Sequence, residues 1–100
     1  MTDTDLLILA ANAAGIRWRI ETDDGLIDKT TRPDCPKIWN PLVDDGDAFR
    51  LAVKLQMDVS IEDCGAWVND RITVMDIDRY AATRRAIVLA AARIGEFGEP

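Results

Sequence analysis

The chain has 100 residues, 48% of them apolar and 30% charged, and it contains no histidine. A chain of this size builds one domain around one modest core, and the composition argues against disordered and fibrous classes. Eighteen acids against twelve bases leave a net charge of −6, which disfavours nucleic acid and anionic bilayers as partners, while the missing histidine removes the commonest general base and metal ligand.

Thr2 or Thr4 can cap a first helix from about Asp5 to Ala14, where Leu6, Leu9, Ala10 and Ala13 recur at helical spacing and Gly15 supplies a left-handed stop. The apolar opening Leu6 to Ala10 is too short for a span and follows acids rather than bases, so neither a signal peptide nor a membrane segment is expected. Ile16, Trp18 and Ile20 alternate with Arg17 and Arg19, the two-residue period of a strand with one buried face. Asp24-Gly25 predicts a hairpin into a short return strand at Leu26 and Ile27. Thr30 to Val43, broken by Pro33, Pro36 and Pro41, is predicted to be a long connection anchored by Ile38 and Trp39.

Asp44 is a natural N-cap with Asp47 at the third helical position, which predicts a second helix over roughly Asp45 to Gln56. Ala48, Leu51 and Leu55 form one apolar stripe, and Phe49 with Val53 forms another on nearly the opposite side. That second stripe wants a partner, in the same chain or in a second protomer. From Asp58 the period returns to two, with Val59 and Ile61 in one strand, Trp67 near another, Ile72 and Val74 in a third, and turns at Gly65 and Asn69-Asp70. A last helix after Asp78 gathers Tyr80, Ile87, Ala91 and Ile94 on its apolar face and ends at Gly95 before a polar tail. Its alanines make it narrow, Arg85 and Arg93 point outward, and Arg84 sits where its guanidinium can reach a carboxylate. No internal repeat is read from the sequence.

These elements predict one α+β domain, a layered sandwich of three helices and an antiparallel sheet of four or five strands in the order α-β-β-α-β-β(-β)-α. Helices two and three should cover the sheet. The expected core is Leu6, Leu9, Trp18, Ile20, Leu51, Leu55, Ile61, Ile72, Val74, Ile87, Ala91 and Ile94.

Three blocks resemble a known family. They are Asp5-Leu6-Leu7 through Ala13-Ala14-Gly15-Ile16, then Trp39-Asn40-Pro41-Leu42 with Asp44-Asp45-Gly46-Asp47-Ala48, and finally Ala81-Ala82-Thr83-Arg84-Arg85-Ala86-Ile87-Val88. Together the blocks resemble the phage ABA sandwich-like proteins, small uncharacterised proteins of tailed phages and prophages. The resemblance implies a layered fold and a phage or prophage origin, hence the host bacterial cytoplasm, and it brings no catalytic residues. The region between Asp58 and Asp76 matches no motif of that family.

Asp44, Asp45 and Asp47, with Asp23 and Asp24, could gather oxygen ligands, but they lack the alternation and distal bidentate Glu of a calcium loop. Helix capping is the favoured role, and neither metal nor cofactor is expected. Cys35 and Cys64 form no redox or zinc motif and are expected to be reduced, buried or half-buried thiols. Trp39 could stack an aromatic ligand, and Arg17 and Arg19, with Arg32, Lys37 and Arg84, could hold an anionic one.

No catalytic constellation appears, so the leading expectation is a non-enzymatic phage or prophage accessory protein. It would bind a host or phage protein, or a second copy of itself, through Phe49 and Val53 and so modulate host defence or metabolism. The alternative is a protein that sequesters a nucleotide-like or other anionic metabolite through Trp39, Arg17, Arg19 and Arg84.

Overall fold

The computed structural model describes residues 2–28, 37–69 and 71–96, with the backbone alone at 19–21 and 28. Helix α1 (Asp3–Ala14) starts in a reciprocal capping box. The Thr2 hydroxyl accepts from the Asp5 amide at 3.1 Å, and the Asp5 carboxylate accepts from the Thr2 amide at 3.1 Å. The bond from the Thr2 backbone, and then that from its side chain, hold the Asp5 carboxyl below the ordinary carboxylate range.

Strands β1 (Trp18–Thr22), β2 (Gly25–Asp28) and β3 (Ile38–Trp39) form one antiparallel sheet in that order. Helix α2 (Asp45–Lys54) follows, then β4 (Val59–Glu62), β5 (Gly65–Val68) and β6 (Ile72–Met75) in a second antiparallel sheet, and finally α3 (Arg79–Glu96). The fold is α+β with three helices. Instead of one sheet of four or five strands there are, among the described residues, two sheets of three. The added strand lies inside the segment expected to be irregular, where Trp39 pairs with Leu26 and Ile38 with Ile27. Two residues with a β-branched and an aromatic side chain are too short a run to show a period, so the pairing was invisible in sequence.

The element order α-β-β-β occurs twice before α3, a repeat that the sequence alone did not reveal. Both helix exits use one geometry. Gly15 is left-handed at φ 73° and Gln56 at φ 54°. The amides of Ile16 and Met57 reach back to the carbonyls of Ala11 and Ala52, both at 2.9 Å, and those of Gly15 and Gln56 to Asn12 and Val53. Two-residue turns, Asp23-Asp24 and Asp63-Cys64, then lead to Gly25 and Gly65. In each, a Cβ would collide with the third strand's backbone, at the Trp39 carbonyl for Gly25 and the Val74 carbonyl for Gly65. The units differ by one residue in the first strand, where the register shifts between Trp18 and Ile20. That offset, with few identical side chains, hides the repeat.

Helix α3 holds the molecule together. It packs most extensively on α1, and also on α2 and on all three strands of the second sheet. Ala86, Ile87, Val88, Ala90, Ala91 and Ala92 are all buried; at about 100° per residue they span an arc of roughly 240°, far wider than the single stripe expected. Gly95 does not end the helix but lies inside it against the Leu9 carbonyl of α1. Its role is close approach rather than termination.

Of the expected core, Leu6, Leu51, Ile87 and Ala91 are buried, while Leu9, Trp18, Leu55, Ile72 and Val74 are half-buried against it. Ile94 is half-buried as well, and the side chain of Ile20 lies outside the described residues. Ile61 and Tyr80, also expected to face inward, are 60% and 69% exposed. Ile61 sits on the edge strand of the second sheet and Tyr80 on the first turn of α3, so neither gains a covering layer.

Replacing glycine by alanine inside a helix ordinarily stabilises by about 1 kcal/mol. At Gly95 the added methyl would overlap the Leu9 backbone. Gly95→Ala is therefore expected to destabilise by about 1–3 kcal/mol, read as a lowered urea midpoint.

Candidate interaction groove

The Trp39-Asn40-Pro41 segment and the start of α2 form one hydrogen-bonded unit. Asp44 caps α2 by accepting from the Asp47 amide at 2.7 Å. Asp47 is itself buried, accepting from the Asn40 amide at 3.0 Å and from the Arg50 guanidinium at 2.7 Å. The Asn40 side chain donates to the Asp24 carbonyl at 2.7 Å and accepts from the Leu42 amide at 3.0 Å, which ties the first hairpin to the entry of α2. Arg84 of α3 donates to the Leu42 carbonyl at 2.8 Å and to Asp45 at 2.7 Å. Arg50 also lies 3.8 Å from Asp44, so Asp44 and Asp47 share one guanidinium while Asp45 takes Arg84. Among the described residues no three Cys, Asp or Glu side chains gather where they could hold a metal ion.

This arrangement removes the stacking site read from the sequence. Trp39 is 6% exposed and belongs to the core, and Arg84 is committed to Leu42 and Asp45. Arg17 is exposed ahead of β1, and Lys37 is exposed ahead of β3. The side chain of Arg19 and the whole of Arg32 lie outside the described residues. Nothing described brings Arg17 to Trp39. Cys64 is exposed in the β4–β5 turn, and Cys35 lies outside the described residues.

Phe49 and Val53 are 69% and 59% exposed, so no other element of the described chain covers the second stripe of α2. They wall a groove of about 710 Å³ that runs between α2 and β4 over α3. Ala48 and Ala52 of α2, Met57, Val59 and Ile61 of the following turn and strand, and Tyr80 and Ile87 of α3 complete its apolar lining. Asp45 and Arg84, already paired, sit at its rim together with Arg79. Such a surface binds by excluding water from apolar area. Nothing lining it couples a nucleophile to a base. Ile61 and Tyr80 were missed as groove residues because their apolar character matches a core position equally well.

The network fixes the geometry of α2 and hence of the groove wall. Asp47→Ala leaves the buried Asn40 amide without its acceptor, an expected loss of about 1–3 kcal/mol. Arg50→Ala takes one bond from the buried Asp47 carboxylate but leaves the Asn40 amide on it, and is expected to cost less than Asp47→Ala, about 1 kcal/mol. Denaturant unfolding of the two variants side by side checks this order.

No helix among the described residues is long and apolar enough to cross a membrane. No known family model, curated protein or solved structure matches this chain.

Proposed function

We propose that this protein is a non-enzymatic accessory protein, of phage or prophage origin, that acts by binding a host or phage protein at the groove between α2 and β4. One observation carries this view. Phe49, Val53, Ile61 and Tyr80 stand more than half exposed around a single concave apolar surface, and a small acidic protein otherwise minimises contiguous exposed apolar area. Modulation of host defence or metabolism follows as the consequence of such a contact, and the phage setting follows from the resemblance in the three sequence blocks. Sequestration of a nucleotide-like metabolite has less support, because its stacking residue Trp39 is buried.

Phe49 and Val53 contribute little to the core, so polar replacement should spare the fold. The Phe49→Ser, Val53→Ser double variant is expected to keep its thermal transition and near-ultraviolet circular dichroism. It is expected to lose any protein partner, or any self-association, that native mass spectrometry finds in wild type purified gently from its bacterial host. Undiminished association in the variant would refute a groove-mediated contact.

A further inference from the structure

We infer that the outer edge of β4 receives an extended, basic segment of the partner protein as a fourth strand of the second sheet, with the segment's apolar side chains filling the groove. This rests on the groove being the contact surface proposed above, and it adds the binding mode and the chemistry of the partner.

The backbone supplies the first argument. β4 is an outer strand of its sheet. Glu62 and Gly65 close a two-residue turn, and such a closing pair is hydrogen-bonded, with alternation thereafter. Glu62, Ser60 and Asp58 therefore turn their backbone groups toward β5, and the Asn69 amide indeed donates to the Asp58 carbonyl at 2.8 Å. Val59 and Ile61 consequently turn theirs to the open edge. Their side chains line the groove. An added strand would take main-chain bonds from Val59 and Ile61 and, through the pleat, place alternate side chains on Phe49, Val53 and Tyr80.

Charge supplies the second. On the opposite face of β4 the exposed acids Asp58 and Glu62 flank Ser60, with Asp63 next in the turn, and no ion pair among the described residues engages them. A second copy pairing antiparallel about Ser60 would set Asp58 against Glu62 of its neighbour, carboxylate against carboxylate, which opposes that pairing. A strand with Lys or Arg on this face and apolar residues on the other satisfies both surfaces, and the net charge of −6 favours its approach. Charge opposes the Ser60-centred pairing of two copies, and the occupant proposed is a segment of a different protein, alternating apolar and other residues, with basic residues opposite Asp58 and Glu62.

The test selects binders from a displayed library of random short peptides, against wild type, against the Asp58→Lys, Glu62→Lys double variant and against the Phe49→Ser, Val53→Ser double variant. All three are first checked for native near-ultraviolet circular dichroism. Wild type is expected to enrich alternating apolar peptides with Lys or Arg on the intervening positions. The charge-reversed protein is expected to bind these about tenfold more weakly and to enrich acidic ones instead. Peptides with apolar residues at helical spacing, or peptides indifferent to charge reversal, would overturn strand addition while leaving the groove as the contact. Binding that ignores the Phe49 and Val53 changes would remove the groove and strand addition together. Absence of enrichment, or a wild-type dimer that competes with the peptides, would also overturn the assignment.

Discussion

The structure depends on one narrow helix that can be approached closely from several sides. Alanine and glycine on α3 let the backbone of α1 come to the point where the Leu9 carbonyl leaves no room for a Cβ at residue 95. Two helices that close give up side-chain volume, and they gain a dense contact with little rotamer entropy to lose. The larger side chains then fall where α3 meets the second sheet, with Val68 and Ala66 of β5 fully buried beneath it and Ile87 and Val88 opposite. The arrangement is asymmetric, because α2 contacts α3 far less than α1 does. The groove is the space this asymmetry leaves between α2 and the edge of the second sheet.

Local chemistry was legible in the residues wherever a side chain acts on its own backbone neighbourhood. Asp44 caps α2 and Gly15 closes α1 in the left-handed region, and the turns predicted at Asp24-Gly25 and Gly65 fall one residue earlier, at Asp23-Asp24 and Asp63-Cys64, with each glycine opening a strand. Phe49 and Val53 stand out from α2 because a helix with apolar residues on opposite sides cannot bury both against one neighbour. What stayed hidden depends on partners distant in sequence. The strand at Ile38–Trp39 exists because β2 offers it an edge, and Gly95 continues the helix because α1 lies against it. Ile61 follows the strand period faithfully, but no sequence pattern reports that its strand is the outermost one.

The Asn40 and Asp47 network shows how a sequence signal can be read correctly in kind and incompletely in extent. Asp47 occupies a capping position, where a carboxylate favours the positive end of a helix, yet it also reaches outside the helix to the Asn40 amide. Asn40 in turn reaches back to the first hairpin through Asp24. The segment from Asn40 to Leu42 is thereby fixed by three bonds, and α2 enters at a defined angle. The exposed apolar stripe of α2 is consequently presented by a helix whose start is held firmly, as a recognition surface requires.

The two exits of the repeated unit are held in the same left-handed conformation by different residues. Glycine adopts it freely at position 15, whereas glutamine at position 56 bears a cost of roughly 1 kcal/mol. That residue also lines the groove. The cooperative free energy is therefore unevenly spread, with the α1–α3 contact at its most protected end and the last turn of α2 already part of the way to opening. Amide protons there would exchange with solvent through small local fluctuations rather than global unfolding. The end of α2 that walls the groove can thus adjust its shape without disturbing the α1–α3 contact.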